Sequence, residues 1–306
     1  MDYERRIDEE TWRFIRTTGE CYPDESEHLP ILEQRRAYED MARHFRAPYP
    51  PQVKRQDFDI ADIKLREYTA GSPTRTVLYL HGGGFVLGSL DSHTDICAEI
   101  CALTGYRVVA VDYRLAPEHK HPTMFNDAQI ALNWVNQTYK EDIVLAGDSA
   151  GANLCAALAH QSRPNMSNIL GQVLIYAVLG QDTSLPSYQE HAQAPMLTSK
   201  DIKTFQNLRC DGVLPENDPS FAPLSDTDFS DLPPTVLITA DCDPVRDDSQ
   251  VYCQKIQTAG GKAHWINEPG LVHGYLRARH SVRRAQESFE RITVAIEALG
   301  QDIWPY

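Results

Sequence analysis

Chemistry is most legible at Gly147-Asp148-Ser149-Ala150-Gly151, where a serine stands between two glycines at the end of an apolar run. The stretch that follows, Asn153-Leu154-Cys155-Ala156-Ala157-Leu158-Ala159, is rich in good helix formers. Strand, tight turn and helix together are the setting in which a serine hydroxyl is held exposed as a nucleophile. The glycines suit such a turn because Cβ atoms at Gly147 and Gly151 would crowd neighbouring backbone. Upstream, His81-Gly82-Gly83-Gly84 follows directly on the apolar run Val77-Leu78-Tyr79-Leu80. Three glycines in a row make a flexible turn, and they also make a loop of bare N–H groups able to face a developing negative oxygen. Gly83, Gly84 and Ala150, the residue after the serine, are the candidate donors.

A serine hydroxyl is a poor nucleophile near neutral pH, so it needs a base, and the base needs an acid to orient it. The run Thr235-Val236-Leu237-Ile238-Thr239-Ala240 reads as a late core strand, and Asp241-Cys242-Asp243-Pro244 begins where it ends. Asp243 is restrained by Pro244 to an extended conformation at the start of a helix. Asp247 and Asp248 fall in the first turn of that helix, where negative charge suits the dipole. Asp241 remains the rival to Asp243. For the base, His273 follows the short run Ala263-His264-Trp265-Ile266-Asn267 and a Pro269-Gly270 turn. His264 falls within the strand, and His280 within a helix expected from Tyr275 to about Leu299.

The chain resembles the hormone-sensitive-lipase-like esterases, bacterial family IV of the α/β hydrolases. The residues that carry the resemblance are His81-Gly82-Gly83-Gly84-Phe85, Asp112-Tyr113-Arg114-Leu115-Ala116-Pro117-Glu118, Gly147-Asp148-Ser149-Ala150-Gly151, Asp243-Pro244-Val245-Arg246-Asp247 and His273-Gly274. Glu33-Gln34-Arg35-Arg36-Ala37-Tyr38, Gly88-Ser89-Leu90-Asp91-Ser92-His93 and Asp247-Asp248-Ser249 are similar to bacterial acetyl esterases in particular. The resemblance implies Ser149 as nucleophile, Asp243 as acid, His273 as base, and Gly83, Gly84 and Ala150 as the oxyanion hole. It also implies hydrolysis of short acyl esters, acetyl to about hexanoyl, without cofactor or metal. Two further functions fit the same residues: an amidase or formamidase acting on aryl amides, and a receptor-like binding protein. Plant hormone receptors on this fold keep the glycine loop and the serine but lack a working base, whereas His273 is present here.

The alternation of strands and helices points to a mostly parallel sheet covered on both faces. Strands are expected near 58–69, 76–81, 107–112, 142–147, 172–178, 235–240 and 263–267. Residues 1 to about 50 read as helices apart from the sheet, with Tyr38, Met41, Ala42 and Phe45 on one apolar face. The alternation stops between about 180 and 215, and the resemblance implies that this insertion and the N-terminal helices form a helical cap over a catalytic domain of 51–306. Trp12, Phe14, Tyr188 and Phe205 are expected to pack in the interior of the cap, or, alternatively, in part to wall the acyl pocket. A carboxylate beside the serine, Asp148, is expected to point away from it and to be structural.

The 29 basic against 43 acidic residues leave a net charge of −14, which argues against nucleic acid or anionic membranes as partners. No apolar run approaches the ~18 residues that span a bilayer, and Met1-Asp2-Tyr3-Glu4-Arg5-Arg6 is too polar for a signal region. A cytoplasmic protein, monomer or homodimer, acting on a small ester is the expectation. Seven scattered cysteines read as buried free thiols rather than a zinc site.

Overall fold

Near-continuous apolar runs in the central strands build one sheet with two covered faces, while the edge strand at residues 54–60 is mostly exposed. A computed structural model describes residues 1–23, 28–163 and 168–306. The chain opens with helices α1 (Tyr3–Arg6), α2 (Glu9–Glu20) and α3 (Ile31–His44), followed by strands β1 (Lys54–Ile60), β2 (Ile63–Thr69) and β3 (Arg75–Leu80). Next come α4 (Thr94–Thr104), β4 (Arg107–Asp112), α5 (Thr123–Tyr139), β5 (Asp142–Asp148), α6 (Ala150–Ser162) and β6 (Ile169–Ile175). Helices α7 (Pro186–Glu190) and α8 (Ser199–Cys210) precede β7 (Thr235–Cys242), α9 (Arg246–Thr258), β8 (Ala263–Val272) and α10 (Arg283–Gly300).

The eight strands lie in the order β1-β2-β4-β3-β5-β6-β7-β8. β2 runs antiparallel to both β1 and β4, and β4 through β8 pair in parallel by way of β3. On β3, Leu78 and Leu80 pack with α5, α6 and α9 residues such as Met124, Leu154 and Ile256. Val77 and Tyr79 face the other way, with Ile96 of α4 and Phe289 of α10. That two-faced burial is what a parallel sheet with crossover helices demands. It also brings the carboxyl ends of β3, β5, β7 and β8 to one rim, followed respectively by His81, Ser149, Asp243 and His273.

Several boundaries differ from the sequence reading. The single strand expected at 58–69 is the hairpin β1–β2, whose turn places Ala61 at φ 51°; no glycine or proline marks that turn. β6 ends at Ile175, short of the expected 178. β8 does not turn at Pro269-Gly270 but runs on to Val272, with its register against β7 shifting between Ala240 and Cys242. A proline is tolerated there because β8 is an edge strand. The helix expected from Tyr275 is first a 3₁₀ turn, Tyr275–Ala278, and then α10 from Arg283. His280 lies between the two and pairs with Glu99 at 2.9 Å. Segment 180–215 holds α7 and α8 and no strand among the described residues, as expected.

His160, on the buried helix α6, sits 2.6 Å from Asp226 through Nδ1, while its buried Nε2 has no partner. Burial outweighs the Asp226 carboxylate and pushes the imidazole down to about 4. The unfolded chain, with its histidine near 6.5, therefore binds the proton first. This contribution to stability is present above about pH 6.5 and is lost as the pH falls towards 4, by about 3 kcal/mol. Denaturant titrations at pH 7 and pH 4 are expected to show a smaller loss in His160→Gln than in wild type.

Candidate active site

The site grows from the junction of β5 and α6. Ser149 takes φ 53°, ψ −115°, a backbone conformation that non-glycine residues rarely hold, and its N–H donates to Ile175 O at 2.8 Å. Close approach explains the two glycines: a Cβ at Gly147 would lie 2.6 Å from Leu80 O, and one at Gly151 2.6 Å from His81 O. The turn thus lies directly against the end of β3, where the glycine loop begins.

His273 Nε2 lies 2.9 Å from Ser149 Oγ, and its Nδ1 lies 2.7 Å from Asp243 Oδ2. A carboxylate can only accept, so Nδ1 carries the ring proton and Nε2 is left to accept from the serine hydroxyl. Asp243 is fully buried, and its second oxygen accepts from Val245 N at 3.1 Å. The rival Asp241 turns elsewhere: it accepts from Asn267 Nδ2 at 3.2 Å and Gly270 N at 3.3 Å. Asp247 binds Ser187 N and Arg246 Nε, and Asp248 binds the N–H groups of Leu179 and Gly180. Burial pushes Asp248 up to about 7. His264 stacks on Tyr306, away from the serine. Of the titratable candidates, the structure brings together Ser149, His273 and Asp243.

Asp148 points away from the serine and ties the glycine loop to the turn. Its Oδ1 accepts from Gly82 N at 3.0 Å and from the Tyr79 hydroxyl at 2.8 Å, and His93 Nε2 lies 3.4 Å from Oδ2. Burial opposes its ionisation, but the His93 ring and the Tyr79 hydroxyl outweigh it and hold the carboxyl well below the usual range. His81, stacked between His93 and Tyr113, is pushed down to about 3 by burial and by its histidine neighbour. Beyond Gly82 the loop takes φ 124° at Gly83 and 63° at Gly84. Among the described residues, the N–H groups of Gly83, Gly84 and Ala150 have no acceptor in the protein, and all three residues line the cavity at Ser149. An oxygen that becomes negative beside the serine would meet donors with no competing bond.

That cavity has a volume of about 460 Å³. α2 contributes Ile15, α3 contributes Tyr38 and Met41, and α8 contributes Ile202 and Phe205. Phe205 packs so closely on the loop that a Cβ at Gly84 would meet its ring at 2.6 Å. Trp12, Phe14 and Tyr188 pack in the interior outside the cavity wall, so of the four aromatics weighed from sequence only Phe205 is a wall. Sequence reasoning gave no site role to Tyr176 or Arg277, and it placed Tyr38 and His93 only in a helix face and in family-like phrases, yet all four line the cavity. The sequence signal available for Arg277 is its position in the otherwise uncharged stretch Gly274-Tyr275-Leu276-Arg277-Ala278. Among the described residues, no group of three or more His, Cys, Asp or Glu side chains could hold a metal ion, and no helix is long and apolar enough to cross a membrane.

The strand order, the strained serine turn and the loop after β3 define the α/β-hydrolase architecture, and the description "alpha/beta hydrolase fold" matches residues 77–277. The esterase LipI of Mycobacterium tuberculosis is 38% identical over 232 residues, which is 73% of this chain and 72% of LipI. The ethyl acetate hydrolase of Pseudomonas putida is 31% identical over 74% of this chain and 73% of that enzyme. A solved esterase from Pyrobaculum calidifontis superposes with a TM-score of 0.81 at 32% identity, covering 89% of this chain and 94% of its own. The chain belongs to the α/β hydrolases, in their hormone-sensitive-lipase-like branch, bacterial family IV.

Reaction with a fluorophosphonate tests whether His273 activates the Ser149 hydroxyl. Mass spectrometry is expected to find one label per chain, on Ser149, and none in Ser149→Ala. Asp148→Asn, which loosens the anchor of the glycine loop, is expected to slow labelling about 10²-fold, the scale of a misplaced reacting group.

Proposed function

We propose that the protein is a serine carboxylesterase that hydrolyses short-chain acyl esters, acetyl to about hexanoyl, through an acyl-enzyme. The observation that carries this reading is the hydrogen-bond series from Ser149 Oγ through His273 to Asp243. His273 Nε2 takes the hydroxyl proton as Ser149 attacks the ester carbonyl, then gives it to the departing alcohol. Water, deprotonated by the same nitrogen, repeats the sequence on the acyl-enzyme. Asp243 holds the imidazole in the required tautomer and stabilises the imidazolium without itself being protonated. The amides of Gly83, Gly84 and Ala150 receive the oxyanion in both steps.

The short-chain preference draws on the likeness to acetyl esterases and on the named activity of the ethyl acetate hydrolase relative. The cavity volume is of the order that small ligands fill. Residues 1 to about 50, with the insertion at about 180–215, act as a cap over a catalytic domain of 51–306. Support for this comes from the side chains that α2, α3 and α8 send to the cavity wall. The same machinery suits an amide, so an anilide is the informative comparison substrate.

Hydrolysis of p-nitrophenyl esters from acetate to dodecanoate tests the proposal. Turnover is expected to be confined to short chains, to fall roughly 10⁶-fold in kcat in Ser149→Ala, and to exceed that of the matching anilide. A folded wild type that turns over anilides as fast as phenyl esters would make it an amidase, and one that turns over neither would overturn the catalytic reading.

A further inference from the structure

One cation in the cavity wall is left without a use by the reaction just proposed. Arg277, four residues past His273, is 9% exposed and lines the cavity with Ser149. A guanidinium carries five N–H donors, but Arg277 makes two hydrogen bonds, to Ser92 O at 2.9 Å and to the Tyr38 hydroxyl at 2.8 Å. It forms no ion pair among the described residues. Other buried arginines in this chain are treated differently. Arg66 binds Asp57 and Asp91, and Arg279 binds Asp95 and Glu99. Arg209 also lacks a carboxylate, but it is clamped between the rings of Phe85 and Phe221 outside the cavity wall. Keeping a charge out of water without a partner is costly, and an ionic partner offsets that cost.

The surroundings of Arg277 favour an oxygen acid. Tyr38 lines the same wall, its ring lies under the guanidinium at 4.9 Å, and its hydroxyl accepts from Arg277 while its own proton has no acceptor among the described residues. Arg277 is the only lysine or arginine that lines the cavity among the described residues. Two carboxylates share the wall, and both are occupied. Asp148 is held by Gly82 N and Tyr79, and Asp201 by Thr198 N and its hydroxyl. Neither forms an ion pair with Arg277: the Asp148 charge favours the guanidinium only from beyond contact distance. Nη1 and Nη2 each spend one N–H, on Ser92 O and on Tyr38, so the remaining N–H groups can still bind a carboxylate, the group whose geometry they match best.

We propose that Arg277 and Tyr38 form a subsite for an ionised carboxylate, so that the esters this enzyme is built for carry a free acid group on their acyl chain or on their alcohol. The inference rests on the esterase reading, with Ser149 as nucleophile, and names the substrate class within it. The acid group stays ionised and unreacted throughout. It docks on the N–H groups of Arg277 and the hydroxyl of Tyr38 while the ester carbonyl meets Ser149.

Two substrate pairs of matched shape separate the acyl side from the alcohol side. They are mono-p-nitrophenyl glutarate against p-nitrophenyl 5-methylhexanoate, and 4-acetoxybenzoate against 4-acetoxybenzamide. In wild type, the acid member of at least one pair is expected to match or exceed its neutral partner in kcat/KM, and that pair locates the subsite. In Arg277→Met the acid-to-neutral ratio is expected to fall about 10- to 100-fold, mostly through KM, as for the loss of a charge-assisted hydrogen bond. Arg277→Lys, which keeps the charge, is expected to retain part of the ratio. The proposal is overturned if wild type hydrolyses both acid esters at least tenfold less efficiently than the neutral ones, a result that needs no variant. It is equally overturned if Arg277→Met lowers both members of each pair in parallel, as a purely structural arginine would. Hydrolysis of the neutral esters in either case leaves the esterase reading standing, whereas a wild type inert towards all four, with Ser149 unlabelled by fluorophosphonate, removes both.

Discussion

The geometry of the site depends on one buried carboxylate that takes no part in the proposed reaction. Asp148, the last residue of β5, accepts from the Gly82 amide and the Tyr79 hydroxyl of β3 and its following loop. Neighbouring strands of a parallel sheet fix only the spacing of their ends; the loops beyond them are free to splay. By bonding across the gap, Asp148 couples the position of Gly83 and Gly84 to the position of Ser149, one residue along. The cost of burying the charge is offset by these donors and by the neighbouring His93 ring. The Ser149 hydroxyl and the amides opposite it are therefore held in one bonded unit.

The other half of the site is assembled by topology. β7 and β8 lie side by side and in parallel, so Asp243 and His273 emerge at the same rim although 30 residues separate them. Asp243 is held on both oxygens, by His273 and by Val245 N. His273 leans on the ring of Tyr176, 4.8 Å away between centroids, and the Tyr176 N–H donates to Ile238 O. Each group is thus positioned by backbone from a different strand, and rigid strand ends hold side chains more precisely than loops do.

Much of this was legible in the residues alone. Gly-x-Ser-x-Gly and the triple glycine report backbone requirements, and backbone requirements leave unmistakable residue types. The choice of Asp243 over Asp241 was narrowed by Pro244 but needed the structure, because Asp241 lies within β7 and Asp243 just beyond its end, and the residue types alone do not say which one the chain turns towards His273. Tyr38 and Arg277 were invisible as a pair for the opposite reason. They lie 239 residues apart, one reading as a helix face and the other as part of a helix, and no local spacing links them. Boundaries failed where turns lacked glycine or proline, as at Ala61, or where proline sat within an edge strand, as at Pro269.

A sheet that brings Ser149, Asp243 and His273 to one rim has a second rim at the opposite ends of its strands. The turns there, such as the exposed Lys140 between α5 and β5 and Gly260 between α9 and β8, carry left-handed backbone and lie at the starts of strands rather than their ends. For protein engineering this divides the molecule in two. Fusion partners, affinity tags or new chain termini introduced at the second rim enter where the backbone is exposed and far along each strand from the chemistry. The same insertions at the first rim would have to pass between Ser149 and the groups that hold it.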